Sequence, residues 1–312
     1  MVPHVNAPAY RSAPAGDFVL AFDLPNAGFR GRLVRFDKVQ ARALEAHALP
    51  EPAARLVAET CVLAALLGSA LKLGGRLTVQ TRSDGPLDLI ASDYYGADAA
   101  RPAGVRGFAR VNAERFASLG TNRPSFLQLV GTGTVAITIE PDRTTQTYQG
   151  IVSLSDGGMA ASAETYFARS EQLPTAIRLA AAPLFTPGNL SPRWRSGGMM
   201  LQATPERPVD VDDWERLSLF LASLEDVELV DVGLAAEAIL WRLFHADEVR
   251  VHPAEPVVFH CGCETARIAS VLKAYSPLER DSLADPDGII RAKCEFCGVM
   301  HEIRPGDLQP AD

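Results

Sequence analysis

The chain has 312 residues, of which 47% are hydrophobic and 22% charged, and a formal net charge of −8. That length predicts about two domains, and the composition is that of a globular protein with a substantial core. The negative charge argues against a nucleic-acid partner, which calls for a clustered basic surface.

Residues 1–16 are rich in Pro and Ala without a basic start followed by an apolar block, so they do not read as a secretory signal. The expected compartment is the cytoplasm, where thiols are kept reduced. Pro52 to Leu73 is predicted as a long helix, apolar nearly all round and therefore buried, and Gly74-Gly75 stops it. Its most apolar stretch, Cys61 to Leu71, is short of the ~20 residues a bilayer needs. Arg76 to Tyr95 predicts a hairpin turning at Ser83-Asp84-Gly85-Pro86, with Leu77, Val79 and Thr81 alternating before it. Thr134 to Glu140 and Thr147 to Leu154 predict a second strand pair. Ala160 to Arg169 and Pro174 to Ala182 are predicted as helices, the second with Pro at its start.

Residues 203–209 (ATPERPV) predict a linker, followed by amphipathic helices at Asp212 to Leu224 and Leu234 to His245. The expected fold is α+β. A mixed α/β domain spans residues 1–202, a helical linker 203–252, and a small cysteine-bearing domain 253–312.

Four of the five cysteines fall in that last segment, as Cys261-Gly262-Cys263, thirty residues, then Cys294-Glu295-Phe296-Cys297-Gly298. Two close pairs supply the four thiolates of a tetrahedral zinc site. Gly298 suits a tight turn whose amides point back at the sulfurs. A segment of this size seldom folds without such a staple, and zinc supplies on the order of 10–16 kcal/mol in comparable units. The first pair is Cys-x-Cys, where most zinc ribbons have Cys-x-x-Cys. If each pair closed on itself, the loops would be tiny and the chain-entropy gain too small to replace the metal, so oxidation would unfold the segment. His260 and His301 are alternative ligands beside the pairs. Cys61, on the buried helix, reads as a small hydrophobe without function.

Other chemistries find no support. No lysine follows a glycine, which excludes a phosphate-binding P-loop, and Gly131-Thr132-Gly133-Thr134 leads into a strand-like run, so it reads as a turn. A thioredoxin-like use of Cys294 and Cys297 would place them at a helix start, yet Gly298 to Ile303 reads as a turn and short strand. No catalytic residue is assigned.

The chain resembles the heat-shock protein 33 family of redox-regulated bacterial holdase chaperones over nearly its whole length. The resemblance rests on the cysteine arrangement and on Trp241-Arg242-Leu243-Phe244-His245. It rests also on Leu77-Thr78-Val79-Gln80, Asp84-Gly85-Pro86-Leu87, Tyr148-Gln149-Gly150-Ile151-Val152 and Ser170-Glu171-Gln172-Leu173-Pro174. It implies an inactive, reduced monomer with one zinc on Cys261, Cys263, Cys294 and Cys297. It also implies oxidation to disulfides Cys261–Cys263 and Cys294–Cys297, zinc release, unfolding of the zinc domain and linker, and dimerisation. The oxidised form would hold unfolding clients without ATP, and the linker helices would be covered when reduced and client-binding when oxidised. Met300-His301 departs from the family, which tends to have an aromatic residue there, and a looser packing beside the metal is expected.

Two rival readings remain. One is a structural zinc ribbon that docks a protein partner; the acidic balance of residues 253–312, six basic and ten acidic side chains, disfavours nucleic acid. The other is a thiol–disulfide oxidoreductase using Cys294 and Cys297.

Overall fold

The computed structural model describes residues 16–308 apart from 72–73, 122, 143–145, 186 and 189–191. The predicted end of the long helix at 72–73 and nearly all of the N-terminal stretch therefore lie outside the described residues.

The chain opens with a hairpin, β1 (Phe18–Leu24) and β2 (Phe29–Phe36), then α1 (Lys38–Glu45) and the long α2 (Glu51–Ala70). An antiparallel set follows: β3 (Gly75–Ser83), β4 (Leu87–Tyr95) and β5 (Ala103–Val111). After the short α3 (Ala113–Ala117) and α4 (Phe126–Val130) come β6 (Gly133–Pro141), β7 (Tyr148–Ser153) and α5 (Gly158–Tyr166). A π-helical turn at Phe167–Glu171 leads to β8 (Thr175–Leu184) and β9 (Arg193–Ala203). Three helices follow, α6 (Val211–Ala222), α7 (Asp226–Val230) and α8 (Ala236–Phe244), then β10 (Arg250–Val251) and β11 (Glu255–Phe259). The C-terminal segment adds α9 (Thr265–Leu272), α10 (Pro277–Leu283), β12 (Ile290–Lys293) and β13 (Met300–Ile303).

Among the described residues the strands form one large sheet in the order β7-β6-β3-β4-β5-β11-β1-β2-β9-β8, with β10 also on β1, and a separate β12–β13 pair. The first strand of the 253–312 segment thus belongs to the main sheet: β11 runs parallel to β5 and antiparallel to β1.

Helix α2 is the centre of the larger core. Val57, Cys61, Val62, Leu63, Leu66 and their neighbours are sealed against strands from both halves of the sheet. By length and composition α2 would pass for a membrane span, but 78% of its apolar window is buried inside the protein. The second core forms where α6, α7 and α8 meet β1, β2 and β9. Leu217, Leu229 and Phe244 are fully buried there with Phe22, Leu33 and Leu201. Backbone meets backbone at this contact: a Cβ on Gly197 of β9 would lie 2.4 Å from the Leu229 carbonyl of α7, so only glycine admits this approach.

Both predicted strand pairs form, in antiparallel register, and the helices at α2, α5, α6 and α8 lie within a few residues of their expected bounds. One expectation is corrected. Residues 174–182 are not helical: from Thr175 onward they lie in β8, paired along its length with β9. The alanine-rich run favours a helix locally, but pairing and the burial of Thr175, Ile177, Ala180 and Ala181 against the core override that preference. The small alanines also let α2 lie close over the strand.

Candidate metal and redox centre

Two turns bring the four cysteines together. Cys261 and Cys263 follow directly from β11, and Cys294 and Cys297 lie in the turn between β12 and β13. That second turn is closed by Gly298 N–H donating to the Cys294 carbonyl (2.9 Å) and Cys294 N–H to that of Val299 (2.9 Å). Gly298 has φ +71°, the left-handed conformation that side chains resist. The pair therefore sits between short strands, as the sequence predicts, and not at the helix start of a thioredoxin-like site.

All four sulfurs lie within 4.8 Å of one another, a set that could hold a metal ion. Cys261 Sγ is 3.6 Å from Cys294 Sγ, and Cys263 Sγ is 3.2 Å from Cys297 Sγ. All four are free thiols and half-buried. Burial pushes the Cys261 and Cys263 thiols up from the ordinary value. Burial also opposes ionisation of Cys294, but the amides of Cys297 and Phe296 and the neighbouring sulfurs outweigh it and hold that thiol below the usual range. These are the amides that the glycine turn was expected to aim at the sulfurs.

Neither histidine joins the cluster. His260 packs edge-on to Tyr95, with ring centroids 5.0 Å apart, and contacts the Arg101 guanidinium. His301 is buried, with Nδ1 3.0 Å from Thr265 Oγ1, while Met300 is half exposed. Where the family's aromatic was expected there is thus a buried polar ring. Cys61 is fully buried on α2, and desolvation pushes its thiol up to about 12, in keeping with an inert hydrophobe.

The cluster rests on the main sheet through residues that sequence reasoning missed. Arg106 on β5 stands directly opposite Asp93 on β4. Its Nε and Nη2 donate to Asp93 Oδ2 at 2.7 and 2.6 Å. Its Nη1 donates to Cys261 Sγ at 3.4 Å, and its guanidinium lies 3.8 Å from the centre of the Phe296 ring. Phe296 also meets Phe108 edge-on at 4.6 Å, and its carbonyl lies 3.2 Å from His47 Nε2. No local signal announces Arg106, because it lies 155 residues from Cys261 in the chain.

Comparison with known proteins gives the family of the chain. The family model described as Hsp33 protein matches residues 17–304. The chain belongs to the Hsp33 family. It is 35% identical over 294 residues to the 33 kDa chaperonin of Caulobacter vibrioides strain NA1000 / CB15N, covering 93% of this chain and 95% of the relative. The 33 kDa chaperonin of Escherichia coli strain K12 / DH10B is likewise 35% identical, over 297 residues, covering 95% of this chain and 94% of the relative. The crystal structure of the 33 kDa chaperonin (heat shock protein 33 homolog) of Thermotoga maritima superposes with a TM-score of 0.73. At 17% identity, over 93% of this chain and 96% of that one, this likeness speaks to the fold. Membership of the Hsp33 family makes the chain a chaperone, with four clustered cysteines compatible with metal binding.

Proposed function

We propose that the chain is a redox-regulated, ATP-independent holdase in which Cys261, Cys263, Cys294 and Cys297 bind one zinc ion in the reduced state. The gathering of four free sulfurs within 4.8 Å carries this reading. A tetrahedral centre with Zn–S bonds of ~2.3 Å spaces its sulfurs ~3.8 Å apart, close to the separations here, and an all-thiolate donor set suits zinc. Bound zinc would keep all four sulfurs as thiolates at neutral pH, the form that attacks an oxidant.

In this reading residues 253–312 are the switch, 203–252 the linker it controls and 1–202 the client-binding and dimerising domain. Cys261 pairs with Cys263, and Cys294 with Cys297. For each pair, two thiolates give up two electrons to one peroxide molecule, which takes up two protons and leaves as two waters. The sulfurs then form a disulfide and are lost as metal ligands. The four residues that remain as a core for the segment, Leu272, Ile290, Ile303 and Leu308, are too few to hold it. The linker helices behind it now bury apolar faces on the sheet. Their release would uncover those faces and the sheet beneath them for unfolding clients and for a second copy of the chain, in the cytoplasm and without turnover.

The test is aggregation of a heat-unfolded client without ATP, comparing zinc-loaded reduced protein with protein treated with peroxide at mild heat. Zinc release and suppression of aggregation are expected together, only after oxidation. Equal suppression in both states, or zinc retained after oxidation, would sink the proposal.

A further inference from the structure

We propose that the Asp93–Arg106 pair is a latch that holds the metal-loaded cysteine turns against the main sheet and lets go when Cys261 loses its charge. This rests on the zinc reading above and adds the route by which the state of the sulfurs reaches the sheet.

Arg106 is held from behind and makes its contacts in front. Behind it, Asp93 is almost wholly buried on the neighbouring strand, accepts a hydrogen bond from Thr78 Oγ1 at 2.6 Å and has Tyr95 Oη at 3.4 Å. Arg106 is itself 9% exposed, and its guanidinium is thereby fixed in direction where it meets Cys261. In front, it meets one residue from each cysteine pair's turn: the sulfur of Cys261 and the ring face of Phe296. A guanidinium hydrogen bond to a thiolate is charge-assisted and roughly twice as strong as a neutral one. The cation over an aromatic face adds attraction that grows as water is excluded.

The pair thus grips both halves of the metal site at once, but only while both halves are together and Cys261 carries charge. A disulfide sulfur is neutral and a poor acceptor, so oxidation removes the stronger contact. Closing Cys294 on Cys297 also remakes the turn that carries Phe296. Arg106 would keep Asp93, and the sheet would keep its fold, while the C-terminal segment loses its hold. Arg106 is therefore a positioning residue whose contribution should exist only in the metal-loaded state.

The experiment is hydrogen exchange of the full chain in reducing buffer, zinc-loaded and zinc-free, for wild type, Arg106→Met, Arg106→Lys, Phe296→Leu and the Arg106→Met/Phe296→Leu double variant. Exchange in residues 257–263 and 294–298 of the zinc-loaded protein should speed up threefold or more in Arg106→Met and in Phe296→Leu, and less in Arg106→Lys, with α2 unchanged. The double variant should match the faster single variant, because both remove one coupled contact. In zinc-free protein all variants should exchange alike. An acceleration below threefold in zinc-loaded Phe296→Leu, which leaves the Asp93–Arg106 pair intact, overturns the latch. So does a double variant whose acceleration is the product of the two singles, or an equal acceleration without zinc. A parallel arm follows zinc release from wild type under peroxide. Retention of zinc there would defeat the redox reading and leave the exchange result to stand or fall alone.

Discussion

The main sheet and the C-terminal cysteine segment are held by different means. Around α2 a continuous apolar cluster is sealed from water, with Val57, Cys61, Val62, Leu63 and Leu66 each fully buried. Among the described residues, the cysteine segment beyond β11 has a small core of Leu272, Ile290, Ile303 and Leu308, an exposed ion-pair cluster of Arg291 with Asp285, Asp287 and Glu302, and two half-buried or buried polar devices. One is the sulfur cluster. The other is Arg280, 7% exposed, which donates to the carbonyls of Tyr275 (2.8 Å), Leu308 (2.7 Å) and Lys273 (3.1 Å). Stability that comes from area persists in any redox state. On the proposed reading, stability that comes from sulfur chemistry would be withdrawn by an oxidant, and one region would be lost without the other.

Three measurements would break or sharpen that contrast. The largest effect should follow chelation of the metal under reducing conditions, a loss on the order of 10 kcal/mol to the segment by analogy with small zinc units. Exchange protection across 261–308 should vanish while α2 stays protected; loss of protection in both would show a single cooperative unit. Next, Leu63→Ala should cost about 2–5 kcal/mol in urea unfolding of the sheet, with zinc affinity unchanged. A matching loss of zinc affinity would mean the regions share their stability. Smallest, Arg280→Met should cost about 1–3 kcal/mol by stranding three carbonyls, read as faster exchange in α9 and α10 only. Destabilisation of α2 in that variant would contradict the division.

The site was more legible in the sequence than the sheet. Cysteine spacing is local, so the two turns and their four sulfurs follow from residues a few positions apart. Helix α2 and the β3–β4 and β6–β7 pairs carry their own periodicity and turn residues. The strand pair β1–β2 does not, because β2 is buried on both faces along most of its length and the two-residue alternation disappears. Local propensity misdirected β8 for the reason given above. The Asp93–Arg106 pair was invisible because its meaning depends on a turn that arrives more than 150 residues later.

Strand β11 gives the sheet an unusual dependence. It is the piece through which the half built from β3 to β7 meets the half built from β1, β2, β8 and β9. The join is brief: Val257, Val258 and Phe259 pair with Ala103, Gly104 and Val105 on one side, and Glu255 and Pro256 with Val19 and Phe18 on the other. Cys261 begins two residues further on. A pull on the cysteine turns is therefore a pull on the seam of the sheet, and drawing β11 out would bare the backbone edge of β5 and that of β1 at Phe18 and Val19, while α2, packed across both halves, kept them from parting. Open strand edges accept any extended chain, so the same strand that closes the resting molecule marks where a frayed polypeptide would find hydrogen bonds waiting.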